Sequence, residues 1–453
     1  QIVDDHYNIN NDKETKVTTK RQLSEKTTTV SNGILEVEFN GGTSFLIRNL
    51  ETGLEGQIEQ EWGYYKSFDS KINKPAGQNS GAYIFRPSDP KEELTILTGK
   101  EGPTYKVQDI VTEVHFEFDV PWMQQVARVY KDQHYVEVEY TVGPIPIDDG
   151  IGKEVVTRYL THVLNNGVFY TDSNGREFQK RIRSSRPTWE LDEHEPVAGN
   201  YYPINAGIYI EDEDLSLVVL TDRSQGGSSL KDGSIELMVQ RRTLQDDSRG
   251  VFEPMNETVG GMTAYPPYGD ATRIGPGVII TGKHRLFVGK GYAGAATART
   301  SMDATFSDPL VFAASALQGK DVPFEEGAFN LISSTLPPNV MLMTFSRMID
   351  EPSITFLIRV GHQYAEGEDP ELSKDVTICL GTIVGSQRKI ISIKEKTLSG
   401  NRDIETWQKQ RLNWGGNSNE HVRDFDPVEC VKDGCMVSLK PMQIRTFFVQ
   451  VEP

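Results

Sequence analysis

Apolar and polar residues alternate along Tyr135-Val136-Glu137-Val138-Glu139-Tyr140, and this pattern indicates the fold class. Successive side chains of a β-strand point to opposite faces, so this period predicts a strand with one buried and one polar face. Turn sequences such as Ser173-Asn174-Gly175 and Lys231-Asp232-Gly233 punctuate the chain. Similar segments predict further strands at residues 34–39, 114–120, 215–220, 235–239 and 354–358. The chain is therefore predicted to be mainly antiparallel β.

Helical signals are few. The best helical segment covers residues 310–318, after the cap-like Ser307-Asp308-Pro309, and amounts to about two turns. Because no strand alternates with a long helix, a parallel doubly wound sheet or barrel is disfavoured. Glycine and proline accumulate over residues 318–340, which predicts a boundary between a large β domain and a smaller one. Polar residues dominate positions 11–32, which predicts an extended arm there.

The charge balance argues against one class of partner. The 453 residues include 47 Lys and Arg against 65 Asp and Glu, for a net charge of -18. Such a chain has no sequence-independent attraction for phosphate backbones, so we expect no nucleic-acid partner. No apolar run reaches the roughly 18 residues that a bilayer-spanning helix needs, so we expect no membrane partner.

The cysteines and the N-terminus bear on the compartment. Cys430 and Cys435 bracket a hairpin-turn sequence that would bring them to disulfide distance in an oxidising compartment, whereas Cys379 is predicted to be core. Asn256-Glu257-Thr258 is the one glycosylation sequon and leans toward the secretory route. The chain starts at Gln1 without a signal-like segment, so we expect that its N-terminus arises by processing.

A search for catalytic motifs finds no metal cluster. The 8 histidines are spaced too widely for any His-x-His or His-Glu-x-x-His ligand set. No nucleophile elbow, dinucleotide fingerprint or phosphate-binding loop is present either. The motif search therefore predicts no metal site on this chain.

Two polar stretches are candidates for a binding pocket. Asn79-Ser80-Gly81-Ala82-Tyr83 carries a phenol between small residues, and Gln245-Asp246-Asp247-Ser248-Arg249-Gly250 places two carboxylates and a guanidinium in a turn. The structural alternative is that Tyr83 is a strand residue with a locally satisfied hydroxyl and that the second stretch is a solvated turn with local ion pairs. Asp246 and Asp247 are disfavoured as a glycosidase acid and nucleophile pair, because neighbouring residues of a strand point to opposite faces.

Longer motifs carry a family resemblance. They include Phe169-Tyr170-Thr171-Asp172-Ser173-Asn174-Gly175-Arg176-Glu177, Glu195-Pro196-Val197-Ala198-Gly199-Asn200-Tyr201-Tyr202-Pro203 and Pro441-Met442-Gln443-Ile444-Arg445-Thr446-Phe447. Through them the chain, from about residue 30 to its end, resembles the C-terminal, β-rich half of lysosomal-type α-mannosidases of glycoside hydrolase family 38. In that family the zinc ligands and the aspartate nucleophile lie before this region, and members are often cleaved into chains that stay associated.

The resemblance implies a domain layout. Residues 1–30 would be an arm from the N-terminal catalytic part, 31–320 a large antiparallel β-supersandwich, and 321–453 a smaller C-terminal β-sandwich with few helices. It also implies that Tyr83 and Arg249 reach the mannose site and that Asp246 and Asp247 support it by orienting Arg249. The segment Gly260-Gly261-Met262-Thr263-Ala264-Tyr265 matches no family pattern, which leaves the role of residues 260–285 open.

The resemblance further implies the subunit of a retaining exo-α-mannosidase acting on terminal mannose of N-glycans in a lysosome or vacuole. Its partners would be an N-terminal catalytic chain that binds Zn²⁺, and further copies of this heterodimer. One alternative is a non-catalytic carbohydrate-binding or scaffold module. Another is a sugar epimerase of related architecture, which would need His115, His134 or His162 in a pocket.

Overall fold

A computed structural model describes residues 27–40, 43–75, 77–91, 93–100, 102–261, 275–299, 301–306, 310–311, 332, 335–348, 354–384, 389–410, 412, 428–431 and 434–452. The chain divides into two compact units, residues 1–308 and 309–453. The predicted arm at 1–30 and the predicted helix at 310–318 lie almost wholly outside the described residues.

The first unit is built from antiparallel strands. In chain order they are β1 (Thr28–Ser31), β2 (Leu35–Phe39), β3 (Phe45–Asn49), β4 (Glu55–Lys66), β5 (Thr95–Ile96), β6 (Thr104–Val107), β7 (Val111–Glu117), β8 (Met123–Tyr130), β9 (Val136–Val142), β10 (Lys153–Leu160), β11 (Val168–Ser173), β12 (Glu177–Ile182), β13 (Tyr202–Ile204), β14 (Gly207–Glu211), β15 (Leu215–Thr221), β16 (Gln225–Ser228), β17 (Ser234–Arg242) and β18 (Ile280–Lys290). Two short helices follow, α1 (Gly294–Arg299) and α2 (Met302–Phe306).

These strands form two nine-stranded sheets. The first has the order β1-β2-β3-β4-β10-β17-β16-β13, with β5 paired to β4, and the second has the order β12-β11-β14-β15-β18-β9-β8-β7-β6. One hydrophobic core takes side chains from both, for example Trp62 and Tyr159 of the first sheet and Val138 and Leu217 of the second. The predicted mainly antiparallel β fold is thereby confirmed.

The second unit contains strands β19 (Val340–Arg347), β20 (Ile354–His362), β21 (Val376–Cys379), β22 (Ile390–Lys396), β23 (Glu429–Val431), β24 (Gly434–Leu439) and β25 (Ile444–Val451) with helices α3 (Leu380–Val384) and α4 (Ile404–Gln410). A sheet ordered β19-β20-β25-β22 and another ordered β21-β24-β23 share one core that includes Ile358, Val449 and Val437. Cys379 is half-buried and not fully core, because it ends β21 beside α3. Across the described residues of both units, no helix combines the length and apolarity that crossing a bilayer requires.

The period-two pattern correctly located the strands but not every solvated face. Leu35, Val37 and Phe39 of β2 are buried and alternate with more exposed glutamates, as predicted. Glu137 of β9 is instead only 3% exposed, because Arg285 and Tyr130 donate hydrogen bonds to its carboxylate at 3.0 and 2.9 Å. Polar residues on a strand can therefore face a second covered layer.

Loops and helices cover the outer faces of both sheets. Ala295, Ala298 and Met302 of α1 and α2 pack on the second sheet. On the first sheet, Tyr65 and Val156 pack with side chains from segments outside its strands, including Phe85, Val197 and Tyr201. The loop that carries Phe85 also carries Tyr83, so this outer layer fixes the position of one candidate site residue.

Buried hydrogen bonds join the two sheets across their core. Tyr159 of the first sheet and Gln225 contact the two ring nitrogens of His284 at 3.0 Å each, and the Gln225 amide donates to the Tyr140 hydroxyl at 2.6 Å. An acceptor on Gln225 and a hydroxyl donor on Tyr159 assign the neutral imidazole with its proton on Nε2. Burial, with a smaller contribution from Arg223 and against the opposing charge of Asp222, lowers the pKa of His284 to about 3.

This depressed pKa predicts a loss of stability in acid. The unfolded chain takes up a proton near the ordinary histidine pKa, so stability present above about pH 6.5 falls as the pH drops toward the folded-state value. Between pH 7 and pH 5 we expect His284 to lower the free energy of unfolding by about 2 kcal/mol. We test this with His284→Gln, which keeps a hydrogen-bond donor and an acceptor but does not titrate. Urea unfolding should show a smaller change in the free energy of unfolding between pH 7 and pH 5 for this variant than for the wild type. An equal change in the two proteins would contradict the assignment of this pH dependence to His284.

Candidate functional site

Two loops bring the predicted site residues together. Tyr83 lies in the loop between β4 and β5, and Asp246, Asp247 and Arg249 lie in the loop after β17. Tyr83 is therefore not a strand residue, and its side chain is 66% exposed. Arg249 is exposed as well, whereas Asp247 is buried. The two candidate ligand-contacting side chains thus face solvent from adjoining loops.

Asp247 holds the two loops together through main-chain hydrogen bonds. Its Oδ2 accepts the amides of Tyr83 at 2.6 Å and Ile84 at 3.1 Å, and its Oδ1 accepts the amide of Arg249 at 3.1 Å. A Cβ added at Gly81 would lie 2.7 Å from the Cβ of Asp247, so glycine permits this close approach. One buried carboxylate therefore sets the backbone on both sides of the site.

Side-chain amides add a second connection. Asn79 donates to the carbonyl of Asp246 at 3.0 Å, and Gln78 donates to the carbonyl of Asp247 at 2.5 Å. The side-chain oxygen of Gln78, Oε1, in turn accepts a hydrogen bond from Nη2 of Arg249 at 2.5 Å. The residue that contacts the Arg249 guanidinium is therefore Gln78, which the sequence did not single out.

The carboxylates act on the main chain more than on the guanidinium. Asp246 Oδ2 accepts the Ser248 amide at 2.9 Å, and its buried Oδ1 has no partner among the described residues. In this structure Asp247 contacts Arg249 through its main-chain amide, whereas Asp246 contacts the amide of the neighbouring Ser248. The expected separation of the two aspartates on opposite strand faces does not apply, because both lie outside a strand.

A buried ion pair lies beneath the Tyr83 loop. Glu154 of β10 accepts hydrogen bonds from Ser80 at 2.6 Å and from Arg241 of β17 at 2.8 Å, and Arg241 also donates to the carbonyl of Ile84 at 2.8 Å. Burial raises the pKa of the Glu154 carboxyl, and the charge of Arg241 opposes that shift. These groups connect the loop to the central strands of the first sheet, so they support the site from below.

The other predicted site residues lie elsewhere. Asn256 is half-buried and its side-chain oxygen accepts from Nε of Arg242 at 2.7 Å. Thr258 forms a β-bridge with Gly277, which lies within the segment 260–285; residues 262–274 of that segment lie outside the described part. Cys430 and Cys435 stand opposite each other in the β23–β24 pairing, and Cys435 is disulfide-bonded.

The histidines of the epimerase alternative occupy three separate elements. His115 is on β7 beside Glu113, His134 is in the turn before β9, and His162 follows β10. Each is at least partly exposed. Within the described ranges, no group of three or more His, Cys, Asp or Glu residues could hold a metal ion.

Comparison with known proteins identifies the family. Residues 30–249 match the model of the glycosyl hydrolases family 38 C-terminal domain. The chain is 40% identical over 435 residues to the lysosomal alpha-mannosidase of Bos taurus, covering 93% of this chain and 40% of that protein. It is 36% identical over 439 residues to the alpha-mannosidase of Canavalia ensiformis, covering 94% of this chain and 43% of that protein. The chain thus spans well under half the length of these relatives.

A solved structure shares the fold. The crystal structure of an alpha-mannosidase from Enterococcus faecalis V583 superposes with a TM-score of 0.57 at 13% identity, covering 94% of this chain and 42% of that chain. At that identity the likeness concerns the fold alone. The chain therefore belongs to glycosyl hydrolase family 38, and residues 30–249 are a C-terminal domain of that family.

Proposed function

We propose that this chain is the C-terminal subunit of a retaining exo-α-mannosidase that removes terminal α-D-mannose from N-glycan oligosaccharides. The observation that carries the proposal is the pair of exposed side chains, Tyr83 and Arg249, on two loops that the buried Asp247 joins. The alpha-mannosidase relatives support the substrate class.

The two side chains suit a binding role. A phenol can donate a hydrogen bond to a sugar oxygen near the anomeric centre, and a guanidinium can hold hydroxyls or neighbouring carboxylates in a fixed geometry. Both would position groups at the reacting bond without transferring a proton themselves. In a retaining glycosidase, one carboxylate attacks the anomeric carbon while another serves as acid and then as base. We assign both carboxylates to the partner chain.

The zinc of the proposed enzyme belongs on the partner. The described residues of this chain do not fit a zinc site, since they provide no three-ligand group. We therefore propose that the N-terminal chain binds Zn²⁺. The proposed setting is a lysosome or vacuole, with a glycan on Asn256 and a heterodimer that assembles further.

An assembly assay tests this division of labour. We expect the purified chain to leave an aryl α-mannoside intact, and the chain combined with its N-terminal partner to hydrolyse it. Hydrolysis by the chain alone would overturn the assignment of chemistry to the partner. A non-catalytic carbohydrate-binding or scaffold module would instead bind glycans or the partner while leaving turnover unchanged.

Point substitutions test the two side chains. In the assembled enzyme, Tyr83→Phe and Arg249→Ala should each lower kcat/KM by about tenfold, because each removes a positioning hydrogen bond. Tyr292→Phe is a matched control, since Tyr292 is 68% exposed but lies in the loop before α1. Wild-type kinetics in both site variants would return Tyr83 and Arg249 to a purely structural role.

A further inference from the structure

The loop that follows Asp247 has an unusual backbone. Ser248, Gly250 and Phe252 have φ values of 58°, 127° and 64°, so three of five consecutive residues have positive φ. This region is open to glycine but disfavoured for other residues, most of all for bulky ones. Phe252 therefore occupies a position that glycine would fill without strain.

Both ends of the loop are fixed, which explains how the strained conformation persists. Asp247 holds the start through the Arg249 amide, at 3.1 Å. At the far end, the Thr243 amide donates to the carbonyl of Met255 at 2.9 Å, and the Met255 amide donates to the Thr243 hydroxyl at 3.1 Å. Strained residues that their surroundings hold in place are concentrated at binding and catalytic sites.

The ring of Phe252 points away from the folded core. Its side chain is 75% exposed, and its neighbour Val251 is 39% exposed. Three peptide units separate Phe252 from Arg249, so their Cα atoms lie within about 11 Å. Neither the strained backbone nor the exposure of Phe252 stabilises this chain. We therefore infer that the ring contacts a ligand.

We propose that Phe252 forms a platform for the leaving-group sugar, the pyranose whose glycosidic bond to the terminal mannose is broken. This inference rests on the proposed function. A pyranose presents C–H groups on its faces and hydroxyls at its edge, and the electron-rich face of an aromatic ring complements the former. In the proposed function Tyr83 and Arg249 contact the terminal mannose, and Phe252, whose Cα atom lies within about 11 Å of that of Arg249, is near enough to contact the adjoining sugar.

Two substrates separate this role from others. α-Mannosyl fluoride has a leaving group without a ring, whereas an α-linked mannobiose has a leaving sugar. In the assembled enzyme, Phe252→Gly should raise KM for mannobiose about fivefold or more and leave kcat/KM for the fluoride within about twofold. Phe252→Tyr, which keeps an aromatic ring, should have the wild-type KM for mannobiose. Val251→Ala, on the adjacent exposed residue, should leave the ratio between the substrates unchanged.

The Tm of the glycine variant shows whether a kinetic loss is caused by unfolding. Because glycine adopts a positive φ without strain, the Tm of Phe252→Gly should equal or exceed that of the wild type. An equal loss with both substrates would overturn the inference and indicate that the ring contacts the partner chain or supports the loop. Unchanged kinetics with both would overturn it too. If the wild-type assembly cleaves neither substrate, the proposed function fails together with the inference.

Discussion

Asp247→Ala is expected to lower kcat/KM of the assembled enzyme for an aryl α-mannoside by about a hundredfold. The substitution leaves the amides of Tyr83, Ile84 and Arg249 without their shared acceptor. Both loops would then lose their fixed positions, so the effects that we expect from Tyr83 and Arg249 individually would combine. Steady-state kinetics of the assembled enzyme, with its Tm as a measure of folding, provide the test.

Asp172 provides a matched control for this experiment. It is also buried, and it accepts the amides of Asn205, Ala206 and Gly207 at 2.8 to 2.9 Å, but it lies on β11 of the second sheet. Asp172→Ala should lower the Tm because buried donors lose their acceptor, while kcat/KM per folded molecule stays near wild type. If the two alanine variants showed the same kinetic defect, a specific role for Asp247 would be untenable.

Glu236→Ala is expected to destabilise the chain by about 3–5 kcal/mol. The Glu236 carboxylate, 1% exposed, pairs with Nε of Arg158, whose side chain is 11% exposed. It also accepts from the hydroxyls of Tyr65, at 3.0 Å, and Tyr201. Burial raises the pKa of Tyr201 well above its ordinary value. Among the described residues, the remaining carboxylate partner of Arg158 would be the partly exposed Glu61, 3.9 Å away, so the buried guanidinium would be largely uncompensated. Urea unfolding should show the loss.

A double variant distinguishes lost charge pairing from lost packing. Replacing both partners, as Arg158→Met with Glu236→Leu, removes the uncompensated charge and should recover at least half of the lost stability. The two tyrosine hydroxyls would still lack an acceptor, so full recovery is not expected. A double variant less stable than Glu236→Ala would show that packing, and not an unpaired charge, dominates.

Local sequence pattern predicted the strands well, because a strand's period depends only on neighbouring residues. It failed for Glu137 and Glu236, which the alternation places on polar faces but which are buried in the structure. The layers that cover those faces come from distant parts of the chain, such as the segment that carries Tyr201. A single strand's sequence contains no information about them.

The candidate site was harder to predict for a related reason. Resemblance to the family singled out Tyr83 and Arg249, whereas residue chemistry alone left the structural alternative open. One contact that joins the loops is between Asp247 and the amide of Tyr83, 164 positions apart, and it does not involve the side chain of Tyr83. Gln78, Glu154 and Arg241 were missed because nothing in their local sequence signals the distant groups that their side chains bind.

Because Asp247 joins the loops through their main chain, the same few residues can fix the loop backbone and display side chains independently. Among the described residues its carboxylate accepts hydrogen bonds from main-chain amides alone, and every residue except proline possesses such an amide. This connection between the loops therefore does not depend on the side chains displayed at positions 83, 84 and 249. Those side chains are therefore open to change during evolution or directed selection without rebuilding the frame. Substrate preference could diverge at these positions while the hydrogen bonds between Asp247 and the main chain stay the same.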